Sequence, residues 1–187
     1  MTTLKIQTIK TAPEASKALL EKSLKNNGMI PGLHGVLASS PQTYEAYGKL
    51  HELFMNSSFN AEELTVVWQT INVENGCNYC VPAHTAIANM MKVDSALSEA
   101  LRNDAAMPNE KLQALKDMTL KIVRNRGYVS QEDLTAFYAV GYGEQQILEI
   151  ILGLAQKTIS NYTNHIANTP VDAPFQKFAW KKENVVS

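Results

Sequence analysis

Apolar positions recur along most of the chain at helical spacing, and the alternation expected of strands is almost absent. Leu64, Val67, Trp68 and Ile71 fall at i, i+3, i+4 and i+7, which predicts one buried stripe on a helix from about 60 to 75. Near the C-terminus Ile147, Ile151, Leu154, Ala155, Ile159, Tyr162 and Ile166 keep a stripe for about five turns. Leu148, Ile150 and Leu152 make that helix apolar nearly all round at its start. It is therefore expected to be the central, most buried one.

Start and stop signals divide the remainder. Ser40 before Pro41 reads as an N-cap with proline at the first helical position. Asn60 with Glu63 forms a capping-box pattern, Asp94 opens a short helix, and Ser130 with Asp133 opens another. Pro108 is expected to start a helix that Gly127 closes, and Gly141 with Gly143 marks the turn before the last long helix. The sum is an all-α bundle of about seven or eight helices in one domain over residues 1–187. Residues 1–40 form its N-terminal helix and loop arm, with 26–40 the longest irregular segment. Periodicity is lost after Asn168, yet Phe175, Phe178 and Trp180 are too apolar for a solvated tail, so residues 170–187 are expected to dock on this subunit or a neighbour.

A chain of 187 residues can bury a real core as one domain. Its 17 basic and 18 acidic side chains give a formal net charge of −1, with no basic stripe. Nucleic acid and anionic membrane are therefore not expected partners. The stretch "MTTLKIQTIKTAPEA" lacks a signal-like apolar run, and "ILEIILGLA" is too short to span a bilayer, so a cytoplasmic protein is expected.

Candidate chemistry concentrates in "VENGCNYCVPAHTAIANMM", residues 73–91, which holds both cysteines of the chain, Cys77 and Cys80. In a reducing compartment such a pair is more often catalytic or metal-binding than a permanent staple. Pro82 is tolerated only in a helix's first turn, which places Cys80 at or near a helix N-terminus, where unpaired N–H groups and the macrodipole favour a thiolate. A helix reaching back to Cys77 would put residues 77, 80 and 84 within roughly 60° of one another. His84, one turn from Cys80, is then placed to take its proton or pair with the thiolate. This is the chemistry of attack on an O–O bond, in which a thiolate becomes a sulfenic acid and condenses with a second thiol. Cys80, nearer His84, would attack, and Cys77 would resolve.

Several rival readings are distinguished by spacing. A c-type haem tether needs histidine directly after the second cysteine, where Val81 stands. A zinc deaminase pairs P-C-x-x-C with H-x-E, but Gly76 precedes this motif and His51 is followed directly by Glu52. A structural zinc on Cys77, Cys80 and His84 would need a fourth ligand, and the chain has no second C-x-x-C or H-x-x-x-H. A thioredoxin-like site would need a β/α context. Two buried thiols without chemistry remain an alternative. No cofactor and no metal are expected.

The segments 59–85 and 147–172, supported by "MIPGLHGVLASSP" at 29–41, resemble the AhpD-like, carboxymuconolactone decarboxylase superfamily, in its uncharacterised peroxidase-related branch. The E-N-G-C-x-Y-C-x-x-x-H core carries the resemblance. It implies an all-helical fold, a homo-oligomer (dimer, trimer or hexamer), and peroxiredoxin-type alkylhydroperoxidase activity on a hydroperoxide. By the same resemblance Cys80 is peroxidatic, Cys77 resolving and His84 part of a proton relay, with a dithiol or lipoyl-type reductant as partner. Thr65 stands where the AhpD relay keeps glutamate, and Tyr79 where it keeps histidine. Glu74, Thr65, Tyr79, Glu63 and His165 are thus the candidates for relay or pocket roles. Glu63 has a competing role as cap partner of Asn60, and His165 as a helix-end residue. Alternatives are a carboxymuconolactone decarboxylase-like enzyme and a non-catalytic oligomeric redox-sensing or binding protein. His34 and His51 are expected in surface or packing roles, and Met90 and Met91 in packing.

Overall fold

A computed structural model describes residues 4–182. Among the described residues there is no strand; the chain runs through nine α-helices and one 3-10 helix. They are α1 (Glu14–Asn27), α2 (Gly32–Leu37), α3 (Pro41–Met55), α4 (Ala61–Glu74) and α5 (Cys80–Met90), followed by α6 (Ser95–Arg102), α7 (Glu110–Arg124), α8 (Gln131–Ala139) and α9 (Glu144–Ala167). The 3-10 helix Ala173–Phe178 follows. No helix among the described residues is long and apolar enough to cross a membrane.

Local chemistry sets the helix starts. Asn60 and Glu63 exchange side-chain to backbone bonds of 3.0 Å each, and Ser130 and Asp133 exchange bonds of 3.2 and 3.1 Å. Ser40 caps α3 with Pro41 behind it, and Asp94 caps α6. Pro108 does not begin α7. Asn109 does, because its side-chain oxygen accepts the Leu112 N–H at 2.9 Å, which a proline ring cannot do. At the other end α7 stops at Arg124, and Gly127 closes it from outside through its N–H to Ile122 O at 2.9 Å.

Two expectations need correction. The segment 26–40 is not irregular throughout, since Leu33, Val36 and Leu37 are buried at helical spacing and form α2. The two glycines that hide this helix are there for contact: a Cβ on Gly35 would lie 2.6 Å from Ile6 Cγ2 and 3.0 Å from Gln7 O. With α2 and the 3-10 helix added, the count exceeds the seven or eight helices expected.

The central helix is α4 rather than α9. Every residue from Glu63 to Asn72 is buried, and α4 packs against α5, α6, α7 and α9. The outward face of α9 is nonetheless strongly apolar, with Leu148 66%, Ile151 46%, Tyr162 55% and Ile166 64% exposed, while Ile147, Leu154 and Ile159 of the expected stripe pack against the core. Its buried side carries Gln156, Lys157, Ser160, Asn161 and Asn164. The inversion follows from what α9 covers, since the interior surface beneath it holds amides and thiols that need polar partners. Gly153 lets α9 approach closely, for a Cβ there would sit 2.8 Å from the Phe54 ring.

The buried apolar residues form two clusters. One is built on α4, α6 and α7; the other joins α1 to α3 with the start of α5 and contains both thiols. The tail packs on the rest of the chain as far as residue 182, and residues 183–187 of the segment expected to dock lie outside the described residues. Phe175 packs against the second cluster, Trp180 Nε1 donates to Arg102 O at 2.9 Å, and Arg102 donates back to Phe178 O at 3.0 Å.

Candidate functional site

The turn that presents the thiols follows from Gly76. Its φ of 64° reverses the chain after α4, and Cys77 N then donates to Asn72 O at 2.9 Å. Helix α5 starts at Cys80, so Cys77 lies just outside it, and Pro82 falls where a missing N–H leaves no bond unmade. Consequently the Cys80 backbone N–H is donated to Cys77 Sγ at 3.2 Å rather than left free for Cys80. Both cysteines are free thiols, exposed by 1% and 2%.

What acts on Cys80 comes from across the helix gap. Lys157, Asn161 and Asn164 stand at i, i+4 and i+7 on one face of α9, opposite His84 and Cys80 one turn apart on α5. Asn164 Nδ2 donates to Cys80 Sγ at 3.2 Å, and Lys157 Nζ lies 2.6 Å from His84 Nε2. Burial pushes the Cys80 thiol up. It is outweighed by the hydrogen bond from Cys77, the Lys157 charge and the amides of Asn164 and Asn161, which together bring Cys80 down to about 6. Cys77 moves strongly the other way, held as a thiol by its hydrogen bond to Cys80, by burial and by the Cys80 charge. The pair is therefore polarised, with negative charge favoured on Cys80 over Cys77.

His84 is neutral: burial, then the Lys157 charge, hold its pKa well below the usual value. With Lys157 donating to Nε2, the ring proton is assigned to Nδ1, which has no partner. No hydrogen bond joins His84 to either sulfur; its nearest aromatic neighbour is Trp68, at 4.8 Å between centroids. Trp68 Nε1 donates to Gln156 Oε1 at 2.7 Å, Gln156 meets His51 Nδ1 at 3.2 Å, and the His51 ring stacks on Trp68. A second line of buried amides runs from Asn75 through Asn161, Asn72 and Gln69 to Val81 O, tying α4, α5 and α9 into one unit.

The other sequence candidates are engaged elsewhere. Glu74 is held bidentately by Arg124 at 2.8 Å on each branch. Thr65 Oγ1 donates to Ala61 O within its own helix. Glu63 completes the Asn60 cap and accepts from Tyr142 at 3.0 Å and Lys111 at 3.1 Å; against burial, these partners hold its carboxyl below the usual range. Tyr79 donates to Asp172 Oδ2 at 2.5 Å and accepts from Leu33 N at 3.3 Å, and Asp172 also takes the Gly32 N–H. Tyr79 thus locks the tail to α2. His165 is exposed on the last turn of α9, away from the thiols. Among the described residues, no three His, Cys, Asp or Glu side chains gather to hold a metal ion.

Lys157, Asn161 and Asn164 were not among the sequence candidates. Their signal is a polar stripe, Gln156, Lys157, Ser160, Asn161 and Asn164, running at helical spacing through an apolar helix. A polar stripe of that kind marks either a solvated face or a buried polar interior, and periodicity cannot separate the two.

No family model matches the chain, and no curated protein matches it. Solved structures do. An uncharacterized peroxidase-related protein from Ralstonia eutropha JMP134, with an alkylhydroperoxidase AhpD core, superposes with a TM-score of 0.81 at 19% identity, covering 91% of this chain and 92% of that one. A peroxidase-related protein from Silicibacter sp. TM1040 gives 0.79 at 18%, covering 92% and 93%. A cysteine-to-alanine variant of the debrominase Bmp8, in complex with 2,3,4-tribromopyrrole, gives 0.76 at 16%, covering 95% of each chain. The chain thus shares the helical fold of these proteins, the one with the alkylhydroperoxidase AhpD core among them.

Proposed function

We propose that the chain is a cofactor-free thiol peroxidase or dithiol oxidoreductase in which Cys80 attacks and Cys77 resolves. The observation that carries this is the polarisation of the pair: Asn164 donates to Cys80 Sγ, and Cys80 is brought down to about 6 while Cys77 is pushed up. A thiolate beside a protonated thiol is what the two steps require. Cys80 Sγ bonds the distal peroxide oxygen as the O–O bond breaks, giving a sulfenic acid and an alcohol. Cys77 Sγ then displaces hydroxide, which leaves as water, and a disulfide remains. A dithiol or lipoyl-type reductant returns the pair to thiols. The outward stripe Leu148, Ile151, Tyr162 and Ile166 supports assembly with further copies of the chain, and a cytoplasmic setting would keep the thiols reduced.

Thiol titration before and after a hydroperoxide tests the reading, with Cys80→Ser and Cys77→Ser alongside. Both thiols should disappear in the wild type, and Cys80→Ser should consume no peroxide. Thiols that stay titratable in excess peroxide would leave a non-catalytic or decarboxylase-like protein. A second reading is favoured by Tyr47, which clusters with both thiols and carries the stacked rings of His51 and Trp68 behind it, and by the fold shared with a debrominase. The same dithiol would replace a ring bromine by hydrogen, releasing bromide and forming the disulfide. Bromide release from 2,3,4-tribromopyrrole by the reduced protein decides that reading.

A further inference from the structure

A lysine ammonium has no reason to be inside a protein unless an anion is there with it, because an unpaired buried charge costs several kcal/mol. Lys157 is 1% exposed. Its hydrogen-bond partner is a neutral imidazole, His84 Nε2, and no carboxylate among the described residues lies within ion-pair reach of it. The titratable groups around it are Cys77 before α5, Cys80 and His84 on α5, and His51 on α3. Of these, only a cysteine readily becomes an anion near neutral pH. The bond to His84 fixes the amine one helical turn from the sulfur that Asn164 marks.

We infer that Lys157 is the proton-holding partner of Cys80, an ammonium that keeps the sulfur ionised and gives its proton to the oxygen leaving the peroxide. This rests on the thiol peroxidase reading above and fills the relay that Thr65, Tyr79, Glu63 and Glu74 do not. The resting site holds a Cys80 thiolate, a Lys157 ammonium and a Cys77 thiol. When Sγ of Cys80 takes the distal oxygen, the alkoxide leaves with the Lys157 proton as an alcohol, and Lys157 becomes a neutral amine. The amine then takes the Cys77 proton, and the new thiolate attacks the sulfenic sulfur. The hydroxide it displaces recovers that proton as water. The oxidised protein holds a disulfide and a neutral Lys157, so no unpaired charge stays buried at the end. Burial as the leading downward influence on the Lys157 pKa, opposed by the charges of Cys80 and Cys77, fits this cycle.

The test is the pH titration of ultraviolet thiolate absorbance in the reduced protein, on a Cys77→Ser background so that one sulfur is read. Replacing Lys157 by Met keeps the bulk and removes the charge. The midpoint should rise by at least about one pH unit, a tenfold loss of acidity; a role in packing alone would lower stability and leave the midpoint in place. An unchanged midpoint overturns the inference. Should Lys157→Met fail to fold, the wild type decides by proton uptake on reduction of its disulfide at neutral pH. Two protons per disulfide, with a thiolate signal present, are expected; one proton overturns the inference. Neither measurement uses peroxide, so failure here leaves the peroxidase reading standing, and thiols that ignore peroxide sink that reading without touching the midpoint.

Discussion

Asn164 Nδ2 lies 3.2 Å from Cys80 Sγ, so the thiol at the start of α5 is held by an amide from α9, eighty-four residues away in sequence. The backbone N–H of the helix start goes to Cys77 instead. Stabilisation of the attacking sulfur is therefore in part a tertiary effect, added to the hydrogen bond from Cys77 three residues before it, and the tertiary part can be removed without disturbing α5.

Asn164→Leu should do this. A hydrogen bond to a charged group contributes roughly 1.5–3 kcal/mol, equal to about one to two pH units in the Cys80 midpoint. Because Asn164 Oδ1 has no partner, the fold should tolerate the change. Thiolate absorbance against pH checks it, and labelling by iodoacetamide at neutral pH should slow by about two- to tenfold as the thiolate fraction falls.

Acid stability should follow the buried histidines. His34 and His51 are each lowered to about 4 from 6.5, first by burial, then by the charges of His51 and Lys157 respectively. The unfolded chain then binds more protons than the folded one below about pH 6.5. The stability they confer is complete above that value and lost as pH falls through about 4, by roughly 1–3 kcal/mol for each histidine. Denaturant midpoints measured across this window should descend, and His51→Phe should flatten the descent.

Tyr79→Phe removes only the hydroxyl that joins Asp172 and Leu33 N. The tail should loosen at a cost of about 1 kcal/mol or somewhat more. Limited proteolysis should cut after Asn168 faster than in the wild type, and both thiols should label faster.

Gly153→Ala should destabilise by about 1–3 kcal/mol, since the new methyl would lie 2.8 Å from the Phe54 ring and 3.1 Å from Val67 Cγ1. Thermal unfolding gives the size of the loss. A neutral outcome would mean that α9 has room to move away from α3 and α4.

Glu74→Gln should leave the Cys80 midpoint unchanged. Its carboxylate is engaged by Arg124, and the loss should be limited to that ion pair, at most about 1 kcal/mol.

Much of the fold was legible in the chain because its signals are local. The capping pairs Asn60–Glu63 and Ser130–Asp133, the Ser40–Pro41 start and the 64–71 stripe each depend on residues within two turns. So does the first-turn position of Pro82, which placed Cys80 at a helix start. Helix α2 was missed because Gly32 and Gly35, poor helix formers, serve contacts with Asp172, Thr169 and Ile6 that lie far off in sequence.

What the sequence determined by itself is the helical class, most helix starts, and a thiol pair one turn ahead of a histidine. Tertiary structure decided which stripe of α9 faces inward, and with it the chemistry of the site. An amphipathic pattern says that two faces differ, and burial of the polar one depends on what the neighbouring helices leave unsatisfied. Here α4 and α5 leave thiols, amides and an imidazole, so α9 turns Lys157, Asn161 and Asn164 toward them. The charge on Cys80 is set jointly by Cys77, three residues before it in the motif, and by that packing, through distances that no spacing along the chain encodes.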